Sequence, residues 1–227
     1  MPKIVFIRHG NSILSQEKRF NGWDDIPLDN NAKIQLTTLG SKLLNDLYKF
    51  DVLITSYLQR SIISGWEVIE SMNLIWIDEI RDWRLNPRHY GVLQGLTLEE
   101  SIGLYGKDKI DKIQNDFFEK PPLLNESDER NPKNSYRYSK CTDLDTLGES
   151  IEDVKKRIVA FFQEICVPLL EDDKKILISI HEDTFRVFMQ YINDLSPEDT
   201  INEHIEFGVP VVLEYNKNTN KIEKRLI

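Results

Sequence analysis

The chain has 227 residues, 38 of them acidic and 29 basic, for a formal net charge of −9. That length suits one α/β domain with a full core and is short for two, while the acidic balance argues against nucleic acid or a membrane surface as partner, so a phosphate site must be a local exception. Cys141 and Cys166 lack metal-ligand spacing, which argues against a disulfide scaffold or a metal site, and no apolar run has the length of a signal peptide or a membrane span; a soluble, cytoplasmic protein is expected.

The first apolar run, Ile4 to Ile7, predicts a strand that ends in Arg8-His9-Gly10-Asn11-Ser12. Leu36 to Tyr48 carries apolar residues at three- and four-residue spacing, the pattern of an amphipathic helix. Val52 to Ile54 is a second strand; TSYLQRS follows, placing Arg60 on the first turn of a helix over Leu58 to Met72. Ile75 to Ile77 reads as a third strand. The stretch 119 to 140 is rich in Pro, Asn and charge and has no period, which predicts an extended surface insertion rather than a linker. A helix over Ile151 to Leu170, a strand over Ile176 to Ile180 that delivers His181-Glu182-Asp183, and a strand over Val209 to Leu213 complete the chain. The alternation predicts a single α/β domain over residues 1–227, with a three-layer, mostly parallel doubly wound sheet and helices on both faces.

In such sheets ligands bind beyond the carboxyl ends of the strands. Those positions hold two arginines and two histidines. A lone histidine there is as well explained by a capped structural role, and Arg60 alone by a solvated helix surface. Together they have a chemical logic. Arg8 presents a planar fork suited to phosphate, Gly10 lets a ligand oxygen approach the backbone, and Arg60 sits where free N–H groups and the helix dipole favour an anion. One neutral imidazole can attack phosphorus while the second histidine and the arginines hold the equatorial oxygens. A phosphohistidine divides the transfer into two steps, and what remains is an acid for the leaving oxygen.

The segments IRHGNS, RFNGWDDIPL, TSYLQRSI, WRLNPRHYGVLQGL, ESIEDVKKRI and FGVPVVLEY run along almost the whole chain. In them the sequence resembles the cofactor-dependent phosphoglycerate mutases, a branch of the histidine phosphatase superfamily. The resemblance implies His9 as the phosphorylated nucleophile, with Arg8, Arg60 and His181 on the transferred group and Asn11 beside them. It implies Gly22, Arg88 and Tyr90 in the substrate pocket, 2,3-bisphosphoglycerate as phosphoryl primer, and a homodimer or homotetramer formed through IWIDEIRDWRL.

The chain also departs from that pattern. Pro87 stands where the family has its proton-transferring Glu, and positioned acid–base catalysis contributes about a hundred- to ten-thousand-fold. Ser15 replaces an Asn phosphate ligand, Asn21 a Thr before Gly-Trp, Leu98 a substrate-binding Lys, and Asn115 and Asp116 a pair of arginines. Glu182 and Asp183 replace Gly and Asn after the second histidine. Their plain reading is two acids favouring a helix N-terminus; the sharper one makes Glu182 the displaced proton donor. Three functions are expected in turn: weakened interconversion of 3- and 2-phosphoglycerate, a phosphomonoesterase using Glu182 as acid, or an inactive subunit that binds a small phosphorylated metabolite. His89 is read as structural and His204 as solvated or helical, and Trp66, Trp76 and Trp83 as core or subunit-contact residues.

Overall fold

A computed structural model describes residues 2–12, 17, 19–219 and 221–225. Its sheet has the order β3-β2-β4-β1-β5-β6, built from β1 (Lys3–Arg8), β2 (Val52–Thr55), β3 (Asp78–Arg81), β4 (Lys175–Ile180), β5 (Val211–Asn216) and β6 (Lys221–Arg225). The first four are parallel; β5 runs antiparallel to β1, and β6 to β5.

The apolar runs are continuous because both faces of the sheet are covered. Ile4, Phe6, Ile54, Ile176, Ile178 and Ile180 point to one side, where they pack with residues of α5 (Ile151–Phe161) and α7 (Glu182–Asn193). Val5, Ile7, Leu53 and Leu177 point to the other, toward α1 (Asn30–Asn45) and α2 (Gln59–Ser71). Alternate residues of one strand thus feed two cores, and the molecule is the expected three-layer, mostly parallel α/β structure.

Three local expectations need correction. The run Ile75 to Ile77 is a turn and the strand begins at Asp78: Asn73, in the left-handed region at φ 57, closes α2, and Ile75 and Trp76 are 72% and 76% exposed. The helix predicted over Ile151 to Leu170 is interrupted by a π turn at Phe162–Cys166 before α6 (Val167–Glu171). Pro168 has no N–H to return to the carbonyl of Glu164, which favours such a break. Finally, α3 (Leu98–Tyr105), α4 (Lys107–Asn115) and α8 (Pro197–Asn202) were not expected, although Thr97 and Glu100 form a full capping box at the start of α3.

The 119–140 segment is pinned to the molecule. Tyr138 is buried, lies 5.2 Å from the Trp23 ring and accepts a hydrogen bond from the Asn86 amide at 2.9 Å. Arg130 donates to the Gln94 carbonyl at 3.2 Å, and Arg137 pairs with Asp25. Of the tryptophans expected in the core or at a contact, Trp66 and Trp76 are exposed and Trp83 half-buried. Among the described residues no helix is long and apolar enough to cross a membrane.

Candidate functional site

Strand register places the central residues. In the parallel pair β1 and β4, Arg8 lies opposite Ile180, so the next residue on each, His9 and His181, emerge side by side. The His9 N–H extends the ladder by bonding the Ile180 carbonyl at 3.1 Å, and the ring centroids are 4.6 Å apart. On the other side of β4, Thr55 of β2 is opposite Ser179, which brings Ser56 up to His181. Ser56 Oγ is 2.9 Å from His181 Nε2. The Thr184 hydroxyl, bonded to both the N–H and the carbonyl of His181, fixes this residue as the N-cap of α7.

The hydrogen bonds set the tautomers. His9 Nδ1 is 2.8 Å from the Gly10 carbonyl; a carbonyl only accepts, so Nδ1 carries the proton and Nε2 holds the free lone pair. Burial first, then the Arg60 charge, lowers the His9 pKa to about 3, so the ring is neutral and nucleophilic at ordinary pH. For His181, Ser56 Oγ already accepts from the Leu58 N–H at 3.2 Å. Its hydroxyl proton is free to donate to Nε2, and in that tautomer the ring proton lies on His181 Nδ1, a buried atom with no partner in the protein. An orphaned donor of that kind fits a phosphoryl oxygen. Burial, then the neighbouring His9, holds the His181 pKa well below the usual histidine value.

Arg60 is 4% exposed. It donates to the carbonyls of Asp24 at 2.6 Å and Gly22 at 2.7 Å, and burial lowers its pKa to about 10, still cationic at neutral pH. Gly22 is required where it stands: φ is +43°, and a Cβ would lie 2.4 Å from Gln94 Oε1, the atom that accepts the Trp23 N–H at 2.8 Å. Gly10 has a packing role beyond ligand approach, since a Cβ there would meet Ala32 of α1 at 2.6 Å.

His9, Gly10, Gly22, Arg60 and His181 line one cavity of about 320 Å³, together with Arg8, Asn11, Ser12, Asn21, Pro87, Tyr90, Glu182 and Asp183. Ser15 lies outside the described residues. Glu182 reaches the cavity already committed: Arg8 Nη2 is 2.7 Å from Oε2, and Arg186 Nη2 at 3.3 Å and His204 Nδ1 at 2.5 Å share Oε1. His204 is exposed, as expected, and uses its ring to bond Glu182. A carboxylate facing two arginines and a histidine ring nitrogen is arranged to hold Arg8, not to carry a proton to a leaving group.

The expected pocket role of Arg88 is corrected. Its guanidinium is buried and donates to three carbonyls, those of Glu149, Ile113 and Glu119, each at 2.6 Å. It lies beneath Tyr90, 5.3 Å from the ring centroid. The loop above it is pinned from below as well, since the Pro87 carbonyl accepts from Trp23 Nε1 at 2.6 Å and Arg157 Nη2 at 2.9 Å. Arg157 in turn pairs with buried Glu149 at 2.7 Å, whose other oxygen accepts the His89 N–H. Asn115 and Asp116 turn to the backbone of their own segment and do not line the cavity, and Leu98 packs in a small apolar cluster with Phe20. Sequence reasoning missed Ser56, Arg186 and the anchoring pair Glu149 and Arg157. Ser56 stood inside a quoted motif, but its partner lies on another strand.

Among the described lining residues the cations are Arg8 and Arg60. They suit one phosphoryl group. A bisphosphorylated carboxylate such as 2,3-bisphosphoglycerate brings two further anionic groups, for which the described lining offers no cation.

The sequence pattern of the histidine phosphatase superfamily (branch 1) matches residues 4–130 and 122–226. A 2,3-bisphosphoglycerate-dependent phosphoglycerate mutase of Lachnoclostridium phytofermentans is 37% identical over 227 residues, which cover 99% of this chain and 91% of that protein. Two solved structures share the fold: the alpha-ribazole phosphatase of Shigella flexneri, with TM-score 0.75 and 16% identity over 99% of this chain and 95% of its own, and a mycobacterial glucosyl-3-phosphoglycerate phosphatase, with TM-score 0.72 and 17% identity over 99% and 97%.

Proposed function

Since this chain belongs to the histidine phosphatase superfamily, we propose that it takes phosphoryl groups from small phosphomonoesters through a phosphohistidine at His9 and passes them to water. The Nε2 lone pair attacks phosphorus as the ester P–O bond breaks, and the leaving oxygen takes a proton from water. In the second step a water oxygen attacks phosphorus, the P–N bond breaks, Nε2 recovers its lone pair, and the water proton passes to solvent. The observation that carries this reading is the bond from His9 Nδ1 to the Gly10 carbonyl, which leaves Nε2 as the free lone pair beside Arg8, Arg60 and His181. Glu182 serves here by holding Arg8 toward the phosphoryl group. With Pro87 in the loop and Glu182 held by arginines, no positioned acid assists departure among the described residues, so esters of poor leaving groups turn over slowly.

A second reading is interconversion of 3- and 2-phosphoglycerate primed by 2,3-bisphosphoglycerate. The 37% identical mutase favours it; the shortage of cations in the described lining counts against it. Incubation with p-nitrophenyl phosphate radiolabelled at phosphorus, followed by an alkaline quench that the P–N bond of a phosphohistidine survives, tests the first reading: label on His9, absent in His9→Ala, is expected. No label would leave a binding-only subunit. Conversion of 3- to 2-phosphoglycerate faster than phosphate release would establish the second reading.

A further inference from the structure

Beyond the two histidines and two arginines, the charged groups lining the cavity among the described residues are Glu182 and Asp183, both acids. Glu182 is held by two arginines, Arg8 and Arg186, and by the His204 ring. Asp183 is not held in the same way. Oδ2 faces the Tyr90 hydroxyl at 3.4 Å and Oδ1 faces Arg186 Nη1 at 3.7 Å, both longer than a well-made hydrogen bond. Arg186 spends its other donors on the Glu203 carbonyl at 2.7 Å and on Glu182 at 3.3 Å. Tyr90 keeps its proton, since burial and then the Asp183 charge raise its pKa. A second acceptor joins Asp183: Asn21 lines the same cavity, and its Oδ1 is buried without a hydrogen-bond partner. Pro87 has no donor at all.

The part of the cavity that meets the remainder of the substrate therefore presents the acceptors Asp183 and Asn21 Oδ1 beside neutral amide and phenol groups and, among the described residues, has no cation beyond the phosphoryl cage. A carboxylate or second phosphate placed there stands against Asp183, whose cationic neighbour Arg186, at 3.7 Å, is shared with Glu182, and in a confined site like-charge contact costs far more than in water. An ammonium group, with several N–H donors, or a pair of hydroxyls can donate to both acceptors, whereas a carboxylate donates to neither.

We propose that the pocket selects phosphomonoesters whose alcohol portion is donor-rich and uncharged or cationic, such as polyol and amino-alcohol phosphates, and rejects phosphorylated carboxylates, with Asp183 and Asn21 as the discriminating contacts. The proposal rests on the phosphoryl-transfer reading above. The test is kcat/KM for phosphate release by the full chain from phosphoethanolamine, glycerol 1-phosphate and 3-phosphoglycerate, repeated with Asp183→Asn. The first two esters exceed the third by tenfold or more, and Asp183→Asn narrows that ratio at least fivefold, mainly through KM. Equal or faster hydrolysis of 3-phosphoglycerate overturns the proposal. So does an unchanged ratio in an Asp183→Asn variant with native thermal unfolding, which would reduce Asp183 to a helix N-terminal acid. His9 labelled by p-nitrophenyl phosphate with a flat ester panel sinks the specificity alone; no label and no phosphate from any ester sinks the phosphoryl-transfer reading and this proposal with it.

Discussion

At the strand ends, His9, Ser56 and His181 owe their positions to the register of three adjacent parallel strands. In the loop from Asn86 to Tyr90, positions are set from beneath, by Arg157 on the carbonyls of Asn86 and Pro87 and by Arg88 on three carbonyls of other segments. Backbone pairing leaves the strand-end side chains free to meet a phosphoryl group. The loop commits its own arginine to holding its shape, so the half of the pocket that reads the rest of the substrate is left to Asn21, Tyr90 and Asp183. The chemistry and the specificity thus rest on separable parts.

The largest effect that probes this division is on stability. His9, His181 and His89 are all neutral in the fold, with pKa values of about 3 for His9, about 4 for His89, and well depressed for His181. Below about pH 6.5 the unfolded chain binds protons that the folded chain refuses. Stability is therefore full above pH 6.5 and falls as pH drops, by about 1.4 kcal/mol per pH unit for each such histidine, levelling only near the folded values. Urea midpoints at pH 7, 6 and 5 should fall steeply; a flat profile would mean that all three histidines bind a proton at little cost.

Arg88→Met separates the halves more sharply. Its three acceptor carbonyls lose their donor inside the protein, at about 1–3 kcal/mol per unpaired group, so an overall loss of about 3 kcal/mol or more is expected in urea unfolding, while inhibition by inorganic phosphate is unchanged. Weakened phosphate inhibition with native stability would restore Arg88 to the pocket. Ser56→Ala probes the opposite half with a smaller effect. Losing one hydrogen bond of roughly 1 kcal/mol to His181 slows phosphorylation of His9 about fivefold, equally for every ester, because the ring's tautomer is less well fixed. A change that depended on the ester would place Ser56 in the specificity half.

The sequence made the strand-end half legible because each residue there follows an apolar run that is buried on both faces, and Ile4 to Ile7, Val52 to Ile54 and Ile176 to Ile180 all lie inside strands. The same signal failed at Ile75 and Trp76, whose apolar side chains face solvent rather than a core. The loop half was not legible. Whether Arg88 points up or down depends on carbonyls at 113, 119 and 149, and whether Glu182 carries a proton or holds a cation depends on Arg186 and His204. No local pattern records either.

The central claim is that the nucleophilic half is complete while proton delivery to the leaving group is not. Its most direct test is the rate of His9 phosphorylation by p-nitrophenyl phosphate, whose leaving oxygen needs no proton, against that by glycerol 1-phosphate, measured in single turnover. A ratio of about 10² to 10⁴ in favour of the aryl ester, the usual contribution of a positioned acid, is predicted, and equal rates with the two esters would contradict the account.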